Sequence, residues 1–413
     1  MNRISQTLDL VIMDPALGIC EGHHAGFIEA LGQTLPSLPE QKSVIIVCHH
    51  DINEQTATKL TQQGFRVAPH FKVDFYHNLN KPYSSSTEKS TFVRELAKQY
   101  ISIIQNRNSQ SLYLYHTMNW DHCQAINLAL TYLVERKCSS LGHHVLLLMF
   151  HCGINHLGHT THPLIKMQFK AALKRLAKLK SVSLQTSNAE YLNSYNQLLA
   201  PAKDLKLHPN IFAGANDNGK TPKKADRSTD TSPIILYMGD IKAEKGFLNL
   251  PNRLKQLLPK VDTSIIIQYS GKLPAAPVFK QCQQELQNMA AQHPKIELIP
   301  HFWNQQELHK ALAHASLLVM DYDPTVYAEK TSGTLWLSAS YRLPIALNGH
   351  SWLNREADRL GLCWTTIDDI HKVKSQRHKT AQIPENSYKQ ELETPFWTWL
   401  NNTYHSMTEC TSC

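Results

Sequence analysis

The chain has 413 residues, 42% of them hydrophobic and 18% charged, with a formal net charge of +8 and 23 histidines. That length exceeds one ordinary hydrophobic core, and the balance excludes a disordered or collagen-like chain. The longest purely apolar run, residues 145–150, falls far short of the roughly 20 residues a bilayer span needs.

In chain order, residues 8–13, 43–47, 111–115 and 145–150 read as buried strands, and 27–35, 53–63, 87–105 and 121–137 as helices. Apolar strands alternating with helices predict a parallel sheet covered on both faces, with its ligand crevice beyond the carboxyl ends of the strands. Residues 210–232, rich in Gly, Asn, Asp and Lys, bury almost nothing and read as a linker or exposed loop. A second series follows, with strands at 234–238, 264–268, 296–299, 316–320 and 344–347. The expected domains are therefore 1–209, the linker 210–232, 233–375, and a tail 376–413. The tail ends in an aromatic helix around Phe396, Trp397, Trp399 and Tyr404, which is expected to pack back on the first domain.

The segment Gly239-Asp-Ile-Lys-Ala-Glu-Lys-Gly246 directly follows an apolar strand. A glycine turn there gives backbone room, and Lys245, with Lys242, is placed to neutralise a diphosphate. A solvated turn with ordinary surface lysines is the competing reading. The second segment runs from Tyr327 to Thr334 before a helix expected at 335–341. Ser332 suits an N-cap, the amides of Gly333 and Thr334 suit a phosphate, and Glu329 suits sugar or ribose hydroxyls. A capped helix with a surface glutamate explains the same residues.

Together the two segments resemble the donor-binding half of the retaining family-4 GT-B glycosyltransferases. That family carries Gly-Arg-x4-Lys-Gly after a strand and, some 80 residues on, a Glu-x7-Glu motif before a Gly-x-Pro-Val strand. Here Gly239, Lys245 and Gly246 match the first motif, Glu329 the first glutamate, and Arg342-Leu-Pro344-Ile the strand entry. In the first half, Glu21, Gly22, His23 and His24 stand where the family has a Gly-rich loop, and His116 and His151 resemble its two strand-end histidines. The likeness spans residues 8–370 in layout but rests on some five short motifs.

The resemblance implies an α/β protein of two Rossmann-like domains facing across a cleft. It implies a nucleotide-diphosphate sugar as co-substrate, no further cofactor and no required metal. The transfer is expected to retain anomeric configuration. His151 is expected beside the transferred sugar, with Glu329 as the other catalytic candidate, and the Glu21–His24 segment and His116 on the acceptor side. The acceptor class (glycan, lipid-linked or protein) stays open. Two departures stand out: Asp240 replaces the family's arginine, and Leu337 its second glutamate. They keep alive a non-catalytic sugar-nucleotide-binding descendant; a nucleotide-sugar epimerase is the other rival, disfavoured by few acids after the N-terminal strands.

Other features are weaker. The nine cysteines lack regular spacing and read as reduced thiols, and residues 1–9 carry no apolar signal core, so a cytoplasmic location is expected. His151, Cys152, His156, His159 and His162 could bind zinc, but no recognised ligand spacing appears and no metal is assigned. His49, His50 and Asp51 form another strand-end group, read equally as crevice lining or loop filler. From Lys166 to Lys180 a basic helix puts lysines on one face and Phe169, Leu173 and Leu176 on the other. Core packing with a solvated lysine face is the favoured reading, and peripheral contact with an anionic membrane is the alternative. Aromatic interleaving of the kind that stacks bases is missing, so nucleic acid is not expected.

Overall fold

The computed structural model describes residues 9–18, 22–35, 43–73, 86–107, 111–138, 141–149, 163–201, 205–209, 233–259, 261, 263–271, 273–372 and 396–411. The chain divides into two compact units, Met1–Ala215 with Glu393–Cys413, and Asn216–Leu392. The expected linker falls among residues outside the described ones.

In the first unit, strands β1 (Asp9–Met13), β2 (Ser43–His49), β3 (Arg66–Phe71), β4 (Leu112–Met118), β5 (His143–Leu148), β6 (Val182–Thr186) and β7 (Lys206–Leu207) form one sheet in the order β3-β2-β1-β4-β5-β6-β7. Every pairing is parallel. The helices are α1 (Gly22–Thr34), α2 (Glu54–Gln62), α3 (Ser86–Gln105), α4 (Trp120–Glu135), α5 (Pro163–Ala177) and α6 (Ala189–Leu199).

Side chains alternate across the strands, and both faces are buried. Val11, Ile45, Tyr113 and Leu146 pack with Leu96 of α3, Ile126 of α4 and Leu173 of α5. Leu10, Ile46, Leu114 and Val145 pack on the other side with Ile28 of α1 and Leu60 of α2. A last helix, Phe396–Thr411, joins that second core through Phe396, Trp397, Leu400 and Met407.

The second unit holds β8 (Ile234–Asp240), β9 (Ser264–Ser270), β10 (Ile296–Ile299), β11 (Leu317–Met320), β12 (Ile345–Leu347) and β13 (Trp364–Thr366), ordered β10-β9-β8-β11-β12-β13 and all parallel. Its helices are α7 (Leu250–Leu257), α8 (Pro277–Gln292), α9 (Gln305–His314), α10 (Gly333–Ser340) and α11 (Trp352–Arg359); Phe396–Thr411 is then α12. Two cores flank this sheet as well, one around Tyr237, Phe247 and Leu286, the other around Leu318, Trp352 and Leu335.

Several expectations are corrected. β4 continues to Met118, so His116 lies inside the strand and not at its end. β5 ends at Leu148, and His151 is outside the described residues, as are Glu21 and the Cys152–His162 group. Gly22, His23 and His24 open α1 instead of forming a loop. α10 begins at Gly333, two residues before the expected start. On α5, Phe169, Leu173 and Leu176 are buried in the core, while Lys166 and Lys170 are exposed. Among the described residues no helix is long and apolar enough to cross a membrane.

Candidate functional site

At the carboxyl end of β8, Asp240 receives two lysines: Lys242 Nζ and Lys245 Nζ each stand 3.0 Å from its Oδ2. Burial works to raise the Asp240 carboxyl, but Lys245 and then Lys242 bring it down to about 2. The acid is therefore a carboxylate at neutral pH, and it holds both cations together. For Lys245 burial works to lower the pKa, yet Tyr322, Asp240 and Glu244 keep it above the ordinary lysine range. Lys330 lies 5.0 Å from the Tyr327 ring centroid, its pKa lowered by burial against the pull of Glu244.

This loop is fixed to the end of β11. Gly246 has φ +81°, and a Cβ there would fall 2.1 Å from the Asp321 carbonyl oxygen, so only glycine fits. Asp323 N donates to Glu244 O at 2.9 Å, and Tyr237 Oη donates to Lys245 O at 3.1 Å. Asp321 itself is fully buried, and Arg253 reaches its two oxygens at 3.2 and 3.3 Å. Gly239 is less demanding: a Cβ there would meet only Lys245 Cδ, at 3.6 Å.

The chain then enters α10. Ser332 is the N-cap residue, but its side chain makes no capping bond, so the first-turn amides of Gly333 and Thr334 get no cap from it. The Thr334 hydroxyl accepts from Tyr322 Oη at 3.4 Å. Glu329 is exposed on the preceding loop. β8 runs on to Asp240, so Gly239 is within the strand and not in a turn after it; Lys242, Lys245 and Gly246 follow β8, and Glu329, Ser332, Gly333 and Thr334 follow the adjacent β11. Two lysines and a helix start at neighbouring strand ends are the elements of an anion site.

In the first unit the structure reveals a partner not anticipated from the sequence. Asp14, directly after β1, is 1% exposed and lies between two histidines. His24 Nδ1 is 2.8 Å from its Oδ1, and His116 Nε2 is 2.8 Å from its Oδ2. Burial works to raise the Asp14 carboxyl, but both histidines hold it well below the usual carboxylate range. Thr117 Oγ1 lies 2.8 Å from His116 Nδ1, and Phe27 stacks on that ring at 4.2 Å. His24 and His116 are each 4% exposed; His116 Nε2 is hydrogen-bonded to Asp14, and His24 Nδ1 lies close to it. The signal that could have found Asp14 is its position: a carboxylate right after a wholly apolar strand, where crevice residues belong. His49, His50 and Asp51 lie nearer the surface, with His50 Nε2 3.1 Å from Asp51 Oδ1.

No family model matches the chain, and no curated protein matches it. Solved structures do. A glycosyltransferase from Rickettsia africae is similar over 98% of each chain at 13% identity, with a TM-score of 0.59. A UDP-forming α,α-trehalose-phosphate synthase from Burkholderia xenovorans is similar over 97% of this chain and 100% of its own, at 10% identity and a TM-score of 0.59. Anabaena HepE, solved in complex with UDP, is similar over 98% and 99% at 12% identity and a TM-score of 0.57. At these identities the likeness defines the fold: two parallel-sheet α/β units, as in the GT-B glycosyltransferases.

Proposed function

We propose that the chain is a glycosyltransferase of GT-B type that takes its sugar from a nucleotide-diphosphate donor held by the second unit. One observation carries this reading: Lys242 and Lys245 converge on a single carboxylate at the end of β8, on a loop bonded to the segment leading into α10. A donor diphosphate would take the place Asp240 now holds between the lysines, with the amides of Gly333 and Thr334 as further donors. Glu329, exposed on the same loop, would bind sugar or ribose hydroxyls. Lysines and a helix start would stabilise the leaving diphosphate without a metal, and the family likeness favours retention. Support for the nucleotide comes from HepE, whose structures hold UDP and UDP-glucose.

On the other side, Glu21, Gly22, His23 and His151 keep the acceptor- and sugar-side roles that the resemblance implies. We place His24 and His116 beneath that side as its scaffold, because both are buried and face Asp14. Contact with an anionic membrane through the exposed Lys166 and Lys170 would be electrostatic, since the helix's apolar face is in the core.

A second reading, a protein that binds a sugar nucleotide without transferring it, is favoured by Asp240 itself, which engages both lysines. A panel of nucleotide sugars separates the two. Stabilisation by one donor with slow release of its nucleoside diphosphate, both lost in Lys245→Ala, supports the transferase. Stabilisation without turnover, with every acceptor class supplied, supports the binding protein. No stabilisation by any donor overturns the diphosphate site.

A further inference from the structure

Asp14, His24 and His116 come from three separate elements: the end of β1, the first turn of α1 and the interior of β4. The sheet register explains their meeting. Ile12 pairs with Ile46 in β2 and with Leu114 in β4, so two residues further on Asp14, Cys48 and His116 fall in one row across adjacent strands. Even-numbered residues of this row face α1, and α1 supplies His24 over it.

One ligand atom from each of Asp14, His24 and His116 lies within 4.8 Å of the others. The ligand atoms of a tetrahedral zinc, with bonds of about 2.0 Å, stand roughly 3.3 Å apart. His24 Nδ1 and His116 Nε2 each stand 2.8 Å from Asp14 but from different oxygens, so a cation taking one oxygen requires the carboxylate to rotate between the two rings. The His116 ring is already held in place. The Thr117 hydroxyl fixes His116 Nδ1 and Phe27 stacks on its ring, the kind of outer-shell support that orients a metal-bound histidine. The carboxylate is withdrawn from water between the two rings, and a neutral imidazole can offer a metal its lone pair by carrying its proton on the other ring nitrogen, as the Thr117 hydroxyl beside His116 Nδ1 allows. Two imidazoles and one carboxylate select a borderline cation of the zinc class over magnesium or calcium.

We propose that Asp14, His24 and His116 form a buried binding site for a divalent transition cation of the zinc class, tying β1, α1 and β4 together in the first unit. The site lies in the first unit and the donor lysines in the second, so it stands whether or not sugar is transferred.

The test uses the full chain without a histidine tag, expressed with zinc and passed through gel filtration, with metal measured by inductively coupled plasma mass spectrometry. A single equivalent of zinc is expected in the parent protein and in His49→Ala/His50→Ala, which removes the exposed histidine pair. It is expected to be lost in Asp14→Asn and in His116→Asn. Cobalt substitution of the parent gives a readout independent of whether those variants fold: the visible bands of a tetrahedral cobalt with nitrogen and oxygen ligands are expected. A parent protein that holds no metal and takes up neither zinc nor cobalt overturns the proposal. So does an equivalent that persists in folded Asp14→Asn and His116→Asn.

Discussion

Asp240 is the residue whose meaning changes most between sequence and structure. Beside a diphosphate it reads as repulsive, yet it binds both of the lysines proposed to hold the donor. On the proposed reading donor binding breaks two partly exposed ion pairs, each worth at most about 1 kcal/mol. Asp240→Asn is then expected to tighten UDP binding by up to about thirtyfold in titration calorimetry, and weaker binding would remove the lysines from the site. Gly246→Ala combines an unfavourable φ with a backbone clash against Asp321, so a loss above about 1–3 kcal/mol is expected in urea unfolding of the second unit. Two buried histidines set a pH dependence in the first unit. Burial lowers His122 to about 4 and His144 to about 3, against an ordinary value of 6.5. Between those values the unfolded chain binds protons that the folded one refuses. The stability is therefore complete above pH 6.5 and declines as pH falls toward 4, by up to about 1.4 kcal/mol per pH unit for each ring. Unfolding free energies that stay level between pH 7 and pH 5 would contradict this.

Among elements, α12 shows how far in sequence a core can reach. Its Phe396, Trp397, Leu400 and Met407 are buried in the core built by β1, β2, α1 and α2, almost 400 residues earlier at β1. Trp397→Ala is expected to cost the first unit about 3–5 kcal/mol, read as a lowered urea midpoint, while the second unit is unaffected. The basic helix α5 is the opposite case, where an eye-catching pattern has an ordinary structural use. Its apolar face packs in the core, and Lys166 and Lys170 are solvated. Strands were legible where they are apolar runs: the central β1, β2, β8 and β9, and also β10 at an edge. The edge strands β3, β7 and β13 were not, because an edge or short strand buries less and tolerates residues such as the Arg66 and Pro69 of β3; nor was β6, flanked on both sides, whose Val-Ser-Leu-Gln-Thr breaks the apolar run.

For the whole molecule, two units with separate pairs of cores imply two cooperative unfolding transitions. UDP is expected to raise only the transition of the second unit in scanning calorimetry, because a ligand stabilises the part it binds. A shift of the first transition alone would put the nucleotide on the histidine-bearing unit and require the donor assignment to be reversed.

Local patterns were sufficient for what depends on neighbours in sequence. Apolar runs marked most of the central strands, their alternation with helices marked two parallel α/β units, and Gly239, Lys245, Gly246 and Ser332 were singled out as candidates because function in such sheets gathers at strand ends. What joins distant residues was decided by tertiary structure alone. Whether Asp14 meets His116, 102 positions away, depends on the register of β1 against β4. That Gly246 must be glycine depends on the carbonyl of Asp321 on another strand's end. A contact of that kind follows from how strands are ordered and aligned in the sheet, which short-range pattern does not encode.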